Sequence, residues 1–179
     1  MTDSFKFCPQ CATPLATVMQ LEDGGEKARL RCPACAFTHW NNPTPVLAAV
    51  IEYNGQILLA RNAAWSGRMF ALITGFMEAG ETPQGGIERE IKEETNLDTT
   101  SLDLIGVYDF QRMNQIIIAY HAVCTGEVAL SPELLEYKLY DYDAIKCWPA
   151  GTGYALADWL KSRGYAPEFA EWPRKVETH

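Results

Sequence analysis

Apolar and polar side chains alternate along two short stretches near the amino terminus, at residues 17–21 and 27–31. Alternation with a period of two is typical of a strand whose two faces meet different surroundings. Asp23-Gly24-Gly25 lies between the two stretches and supplies residues that tolerate a tight turn. The pattern therefore predicts a small hairpin, in a segment too short to bury a stable core alone.

A longer β-rich region begins after residue 45. The apolar run at residues 46–53 is followed by Asn54-Gly55 and by a second run at 56–60, which together predict a hairpin with a tight turn. Residues 115–124 contain Ile-Ile-Ile-Ala-Tyr and are expected to form a central, buried strand. Further strands are predicted at residues 69–74, 103–108 and 137–140, and residues 126–130 are expected to continue the β-rich stretch.

Two other segments have apolar side chains at helical spacing. The first is predicted at residues 83–95, where Ile87 and Ile91 lie on one face and Thr82 caps a helix that starts with proline. The second is predicted at residues 152–163 and is followed by a glycine that can end it. Strands and helices in this order indicate a mixed sheet with helices on its faces.

Three glutamates of the first helix, Glu90, Glu93 and Glu94, fall within an arc of about 100° beside its apolar stripe. Carboxylates about 5–6 Å apart repel each other by a few kcal/mol at an effective dielectric of about 20. Bound divalent cations would remove this repulsion, and a site of carboxylates alone selects Mg²⁺ or Mn²⁺. A solvated acidic helix face is the common alternative for a run of charges.

The spacing of the surrounding residues argues against that alternative. Gly75 is followed after five residues by Glu81, and after seven more by Arg89-Glu90, an aliphatic residue, one further residue and Glu93-Glu94. This pattern closely resembles the Nudix box, from which only Asn96 departs, where the family has glycine. Asparagine is the next-best residue for the left-handed end of a helix, so the change is tolerable. The resemblance implies an α+β fold, a Nudix α/β/α sandwich with a mixed sheet.

Composition and charge limit the partners of the chain. Its 179 residues are 47% hydrophobic and 21% charged, which is ordinary for a globular protein. The formal net charge of −8 disfavours a broad electrostatic contact with nucleic acid, although NAD-capped RNA stays open as a substrate. The amino terminus lacks the apolar core of a signal peptide, and no run approaches ~18 apolar residues. We expect a cytoplasmic protein with no membrane partner, and leave a homodimer open.

The cysteines predict a second, structural metal site. Cys8-Pro-Gln-Cys11 and Cys32-Pro-Ala-Cys35 have the spacing of a zinc ribbon, in which four thiolates surround Zn²⁺ and leave no position open for chemistry. Such a small module takes much of its folding energy from the metal. Cys124 and Cys147 have no partner motif and are expected to pack as small apolar residues.

The chain is accordingly divided into a zinc ribbon at residues 1–40, a Nudix domain at 41–165 and a C-terminal tail at 166–179. The boundary lies at Asn41-Asn42-Pro43-Thr44-Pro45, which is predicted to be an extended linker because residues before proline avoid the helical region. The tail shows little periodicity. It is either a strap across the body or disordered, and the sequence does not decide between these.

The resemblance also implies a chemistry. Nudix enzymes use divalent cations to hydrolyse a nucleoside diphosphate linked to another moiety. By that likeness, Glu90, Glu93, Glu94 and the Gly75 carbonyl would hold the cations, and Glu90 or Glu94 would serve as general base. Arg89 would orient carboxylates, with Glu81 as its partner. Ranked lower as substrate-binding candidates are Tyr108, Phe110, Arg112, Glu133 and Glu136, for which aromatic core packing and a solvated acidic loop are the alternatives.

A zinc ribbon followed by a Nudix domain resembles the NADH pyrophosphatase type and related hydrolases of FAD and ADP-ribose. The NADH type carries a Ser-Gln-Pro-Trp-Pro-x-Pro block after the box, and nothing here matches it beyond the fragment Cys147-Trp-Pro149. NADH therefore ranks level with FAD and ADP-ribose. A function of another class stays open, in which the zinc ribbon binds RNA or protein and the Nudix fold senses a ligand without catalysis.

Overall fold

A computed structural model describes residues 5–65 and 67–170 of the protein. The chain divides between Asn42 and Pro43 into two compact units. The first contains a three-stranded antiparallel sheet made of β1 (Ala16–Glu22), β2 (Gly25–Arg31) and β3 (Thr38–His39). The predicted hairpin is confirmed, and Gly24 and Gly25 both take the positive φ that its turn requires. His39 stacks on Phe5, with ring centroids 4.3 Å apart.

The second unit carries the longer strands and both described helices. Its strands are β4 (Thr44–Tyr53), β5 (Gln56–Asn62), β6 (Ile73–Phe76), β7 (Asp98–Phe110), β8 (Gln115–Thr125), β9 (Leu134–Tyr140), β10 (Lys146–Cys147) and β11 (Glu168–Phe169). Its helices are α1 (Pro83–Thr95) and α2 (Thr152–Ser162), and a single 3₁₀ turn covers Gln111–Met113. Neither α-helix is both long enough and apolar enough to cross a membrane.

The described residues of this unit form a six-stranded mixed sheet in the order β7-β8-β4-β5-β9, with β6 paired to β4. Strand β8 runs parallel to β4, and the other pairs are antiparallel. The predicted β4–β5 hairpin is confirmed, and both Asn54 and Gly55 have positive φ in its turn. Strand β8 lies inside the sheet as expected, although its first isoleucine, Ile116, is 39% exposed.

Alternating residues of β4 place one helix on each face of the sheet. Leu47, Ala49 and Ile51 pack in one core cluster with Ile87 and Ile91 of α1. The residues between them on β4 pack in clusters that contain apolar side chains of α2 instead. The α/β/α sandwich and the α+β class are therefore confirmed. Burying each isoleucine of α1 contributes about 1.5–3 kcal/mol.

The ends of α1 are those that the sequence predicts. The Thr82 hydroxyl accepts a hydrogen bond from the Gly85 N–H at 3.1 Å, and Pro83 is the first helical residue. Asn96 takes the left-handed conformation, and its N–H donates to the Lys92 carbonyl. Asparagine thus fills the role of the glycine that the pattern would have there. Cys124 and Cys147 are buried in the two cores, as expected.

Several predicted strands differ from the structure, among them β9, which begins at Leu134 instead of residue 137. Strand β6 starts at Ile73 instead of residue 69, because only residues 73–76 reach the pairing positions on β4. Strand β7 extends over Asp98–Phe110 and is much longer than the predicted residues 103–108. Residues 126–130 form no strand. The N–H groups of Ala129 and Ser131 donate instead to the last carbonyls of α1, at 3.0 Å each. Helix-end carbonyls need such partners.

The sequence left open whether the tail is a strap across the body or disordered, and the structure answers this for the residues up to 170. Arg163 caps the helix, and Gly164 turns the chain with a φ of 86°. Strand β11 then pairs in parallel with β10. Up to residue 170 the tail is thus a strap on the sandwich. Residues 171–179 lie outside the described residues.

Candidate active site and zinc centre

The four cysteines of the first unit converge on one point. The Sγ atoms of Cys8, Cys11, Cys32 and Cys35 all lie within 4.8 Å of one another. The Cys8–Cys35 and Cys11–Cys32 separations are both 3.5 Å, and the Cys11–Cys35 separation is 3.6 Å. A tetrahedron with Zn–S bonds of about 2.3 Å has edges of about 3.8 Å. The thiols therefore fit a tetrahedral metal ion with four sulfur ligands, which is the chemistry of structural zinc.

Two matching turns present these thiols. The Cys8 carbonyl accepts the Ala12 N–H at 2.9 Å, and the Cys32 carbonyl accepts the Ala36 N–H at 3.1 Å. Both alanines have positive φ, at 59° and 61°. A left-handed alanine is strained, so the repetition of this conformation shows that each knuckle needs it to turn the chain back.

In the second unit, the box residues line a cavity of about 490 Å³ between α1, β6 and the loop before β9. We call it the acidic cavity. Glu90, Glu93 and Glu94 project into it from α1, Glu78 from the turn before the helix, and Glu133 from the opposite side. Five carboxylates and one cation, Arg89, thus share the walls of one cleft. The structure brings Glu133 of the later loop to the predicted cation site.

Glycine at position 75 is explained by a close approach of β6 and α1. A Cβ built on Gly75 would overlap the carboxyl group of Glu90. Gly86 on the buried side of α1 shows the same feature, since a Cβ there would lie 2.5 Å from both a Glu81 oxygen and the Leu47 side chain. Both glycines therefore allow the carboxylates of the cleft to occupy space next to the backbone.

Arg89 ties three carboxylates together. Its Nε and Nη2 each donate to one oxygen of Glu81 at 3.1 Å, which is the paired geometry expected of a guanidinium. Its Nη1 donates to Glu90 at 2.9 Å and to Glu93 at 3.0 Å. Glu81 also accepts the Glu78 N–H at 2.6 Å. The Arg89 and Glu78 hydrogen bonds hold the pKa of Glu81 below its usual value. Glu81 is therefore an ionised anchor for Arg89.

Glu94 is much more deeply buried than Glu93. It is only 9% exposed, whereas the Glu93 side chain is 60% exposed. Burial, and then the negative charges of Glu90, Glu133 and Glu93, raise the pKa of Glu94 to about 7. Burial also raises the pKa of Glu90, despite the opposing effect of Arg89. Burial thus makes Glu90 and Glu94 hold protons more tightly than carboxylates in water do.

The other predicted substrate-binding residues lie outside the acidic cavity. Glu136 lies on β9 and forms an ion pair with Arg61 at 2.8 Å, outside the set of residues that line the acidic cavity. The Tyr108 hydroxyl donates to Asp158 of α2 at 3.2 Å, and burial with this negative partner raises its pKa to about 12. Phe110 and Arg112 line a second cavity. The guanidinium of Arg112 lies 5.4 Å from the Phe110 ring centroid.

This second cavity has a volume of about 320 Å³, and we call it the aromatic cavity. Its walls include Trp65, Met69 and Trp148 besides Phe110. Sequence reasoning assigned no role to Trp65 and treated Trp148 only as part of a motif fragment, so it missed both. Large aromatic residues beside glycine and proline in predicted loops were the available signal. The aromatic and acidic cavities share three lining residues, Val46, Thr74 and Gln115, and are therefore adjacent.

Comparison with known families agrees with this geometry. The family model described as NUDIX domain matches residues 42–160, and the zinc-ribbon model described as Nudix N-terminal matches residues 6–41. The chain belongs to the Nudix hydrolase family. A solved structure of a NUDIX hydrolase from Nitrosomonas europaea superposes with a TM-score of 0.75 and 27% identity, covering 93% of this chain and 97% of that one.

Two curated relatives are named NAD-capped RNA hydrolase NudC. The protein from Pseudomonas aeruginosa is 25% identical over 152 residues, which is 84% of this chain and 52% of its own. The protein from Vibrio vulnificus is 28% identical over 167 residues, which is 93% of this chain and 55% of its own. The chain therefore spans about half the length of the curated relatives it matches.

Proposed function

We propose that this protein is a metal-dependent pyrophosphohydrolase. Its substrate would be a nucleoside diphosphate linked to another moiety, and its products two monophosphates. The observation that carries the proposal is the adjacency of the acidic and aromatic cavities, which share Val46, Thr74 and Gln115 in their walls. A diphosphate with bound cations suits the carboxylate-lined cleft, and a planar base suits an apolar cavity walled by tryptophan and phenylalanine.

The donor set of the acidic cavity fits Mg²⁺ or Mn²⁺. Carboxylate oxygens of Glu90, Glu93 and Glu94, with the Gly75 carbonyl, are hard ligands, and Glu133 faces them. The bound cation would supply positive charge to the phosphoryl oxygens and lower the pKa of water. Five glutamates in one cleft would repel a diphosphate that arrived without cations. Cations bound by the same glutamates would remove this repulsion and attract the anionic substrate.

The protein's own residues would orient the metal-binding carboxylates and accept a proton from the attacking water. Arg89 would hold Glu90 and Glu93 in fixed rotamers through bonds of 2.9 and 3.0 Å while Glu81 anchors the guanidinium. Glu94 has the raised pKa that suits a base near neutral pH, and Glu90 is the other box candidate. Glu133 would add charge from the opposite wall.

Two observations bear on the class of linked substrate: the names of the relatives and the absence of one sequence block. Relatives named NAD-capped RNA hydrolase support a dinucleotide-type bridge. The Ser-Gln-Pro-Trp-Pro-x-Pro block of the NADH type is absent from the sequence, so FAD, ADP-ribose and NADH stand level. NAD-capped RNA is a larger member of the same class, and the net charge of −8 gives it no electrostatic advantage.

A panel of linked dinucleotides and nucleoside triphosphates with Mg²⁺, followed by chromatography of the products, tests the proposal. We expect two monophosphates from at least one linked dinucleotide. Release of pyrophosphate from triphosphates alone would contradict it, because the cleft would then select a terminal diphosphate. Binding of a linked dinucleotide without turnover would favour the ligand-sensing alternative instead.

A Gly75→Ala variant tests the close approach of β6 and α1. Because the new Cβ would overlap the Glu90 carboxyl group, we expect Glu90 to leave its position and turnover to fall by about a hundredfold, the scale of a misplaced reacting group. Steady-state rates at saturating Mg²⁺ measure this. Gly67→Ala is the control, because its φ lies outside the left-handed region and a Cβ there comes no closer than 4.0 Å to the Met69 nitrogen. Normal turnover in Gly75→Ala would show that Glu90 is dispensable.

The four cysteines are proposed to hold one structural zinc ion per chain. We expect metal analysis of the reduced protein to find one equivalent, and Cys32→Ser to lose it. Zinc binding in such modules is worth about 10–16 kcal/mol, so the first unit should unfold in the variant. Limited proteolysis before residue 43 would report this, with Cys124→Ser as a control that lies outside the cluster. A fully retained zinc ion in Cys32→Ser would contradict the assignment.

A further inference from the structure

The chain beyond α2 returns to the body and covers a specific turn. We call residues 165–170 the C-terminal strap. The Tyr165 N–H donates to the Leu160 carbonyl at 3.0 Å, and its ring packs edge-on against Tyr142 with centroids 5.5 Å apart. The strap then runs parallel to β10 as strand β11. It lies after residue 160, where the match to the NUDIX domain ends.

The strap contacts residues on both sides of the turn at residues 148–151. On one side, the Ala170 N–H donates to the Cys147 carbonyl at 2.8 Å. On the other side, the Phe169 ring packs on Tyr154 of α2 with centroids 6.1 Å apart. The Tyr154 hydroxyl in turn donates to the Pro149 carbonyl at 3.1 Å. The turn between β10 and α2 is therefore held from the strand before it and from the helix after it.

The same turn forms one wall of the aromatic cavity, to which Trp148, Ala150 and Gly151 contribute. Its conformation is tight. Gly151 has a φ of 49°, and a Cβ on Gly153 would overlap the Trp148 carbonyl. Because the turn packs this closely on the first residues of α2, it cannot absorb a movement of its neighbours. A shift of β10 or α2 would therefore displace the Trp148 ring.

We propose that the C-terminal strap is a positioning element that sets the affinity of the aromatic cavity for the planar base of the substrate. This inference rests on the proposed function. The described contacts of the strap are with residues next to the cavity wall, such as Cys147 and Tyr154, and none of them is with a carboxylate of the cleft. Weakening the strap should therefore weaken binding of the base and leave the chemistry at the diphosphate unchanged, which appears as a rise in KM at constant kcat.

The variant that tests this combines Phe169→Ala with Ala170→Pro. The first change removes the ring contact with Tyr154, and the second removes the N–H that bonds to Cys147 while keeping an extended backbone. We expect KM for ADP-ribose to rise about fivefold to tenfold, the scale of one lost hydrogen bond with some packing, and kcat to stay within about twofold. Ala170→Pro alone is the milder variant should the pair fail to fold.

Glu168→Gln is the matched control, because it removes only the exposed ion pair with Lys146 at 3.3 Å. Amide hydrogen exchange at Ala150 and Gly153 should accelerate in the double variant and not in this control. Unchanged KM and unchanged exchange in the double variant would overturn the proposal while leaving the hydrolase assignment intact.

Binding of AMP, measured by calorimetry, separates the strap from the proposed function. AMP carries the base and one phosphate, so its affinity does not depend on turnover. If the protein cleaves no linked dinucleotide, a fivefold to tenfold weaker AMP complex in the double variant would still support the strap's role. Equal AMP affinity in the double variant and the wild type would overturn it.

Discussion

Replacing Glu94 by glutamine is expected to lower metal-dependent turnover by roughly a hundredfold to ten-thousandfold, the range that general acid–base catalysis contributes. Glu94 is the innermost carboxylate of the acidic cavity and is 9% exposed. Glutamine keeps its shape but can neither accept a proton at neutral pH nor offer a charged ligand. The measurement is kcat on a linked dinucleotide over a Mg²⁺ titration.

The same substitution should stabilise the metal-free protein at alkaline pH. Burial raises the pKa of Glu94 from 4.5 to about 7 in the folded state, so the folded protein binds the proton more tightly than the unfolded chain. The resulting stability is complete below pH 4.5 and is lost as the pH rises through 7. The loss amounts to about 3 kcal/mol. Glutamine has no proton to lose, so it should abolish this slope.

Thermal unfolding of both proteins at pH 5 and pH 8, with EDTA and with Mg²⁺, checks the prediction. Mg²⁺ should raise the wild-type melting temperature more at pH 8, because a protonated Glu94 competes with the cation at pH 5. Glu88→Gln makes the same chemical change on an exposed face of α1 and should alter neither slope nor turnover. A wild-type slope that persists in Glu94→Gln would place the coupled proton on another residue.

The parts of the fold set by local chemistry were predictable from the sequence. Thr82, Pro83 and Asn96 determine the ends of α1 through a side-chain cap, a fixed φ and a left-handed conformation, and each interaction is made within a few residues. The hairpin at Asn54-Gly55 is another case of this kind. The four-cysteine cluster was also predictable, because the spacing within each cysteine pair is a property of one turn.

The failures involve interactions between distant segments. Residues 126–130 were expected to continue the strands, yet the N–H groups of Ala129 and the nearby Ser131 bond to the carbonyls at the end of α1. No local pattern reveals that partner. The raised pKa of Glu94 depends partly on the charge of Glu133, which lies 39 positions later in the chain. Trp65 and Trp148 form one cavity only because the β5–β6 loop and the β10–α2 turn meet at Phe110. The periodicity of apolar residues along a chain carries no information about contacts between segments that are distant in sequence.

Replacing Arg89 by lysine is expected to reduce turnover by about a hundredfold although the charge is conserved. The guanidinium makes two parallel bonds to Glu81 and shares its Nη1 between Glu90 and Glu93. An ammonium group is a single point charge and cannot hold three carboxylates in these directions at once. Glu90 and Glu93 would then sample other rotamers, and the cation site would lose its fixed geometry.

Mg²⁺ titrations separate this positioning role from a general loss of stability. The Mg²⁺ concentration for half-maximal rate should rise in Arg89→Lys, because two proposed ligands are no longer oriented, whereas an unfolding defect would reduce the maximal rate alone. Lys92→Arg performs the reverse exchange one turn along the same helix. Lys92 bonds only to the Asn96 carbonyl and to exposed Asp98, so turnover should stay within about twofold. A fully active Arg89→Lys would mean that charge alone, without the fork geometry, organises the cleft.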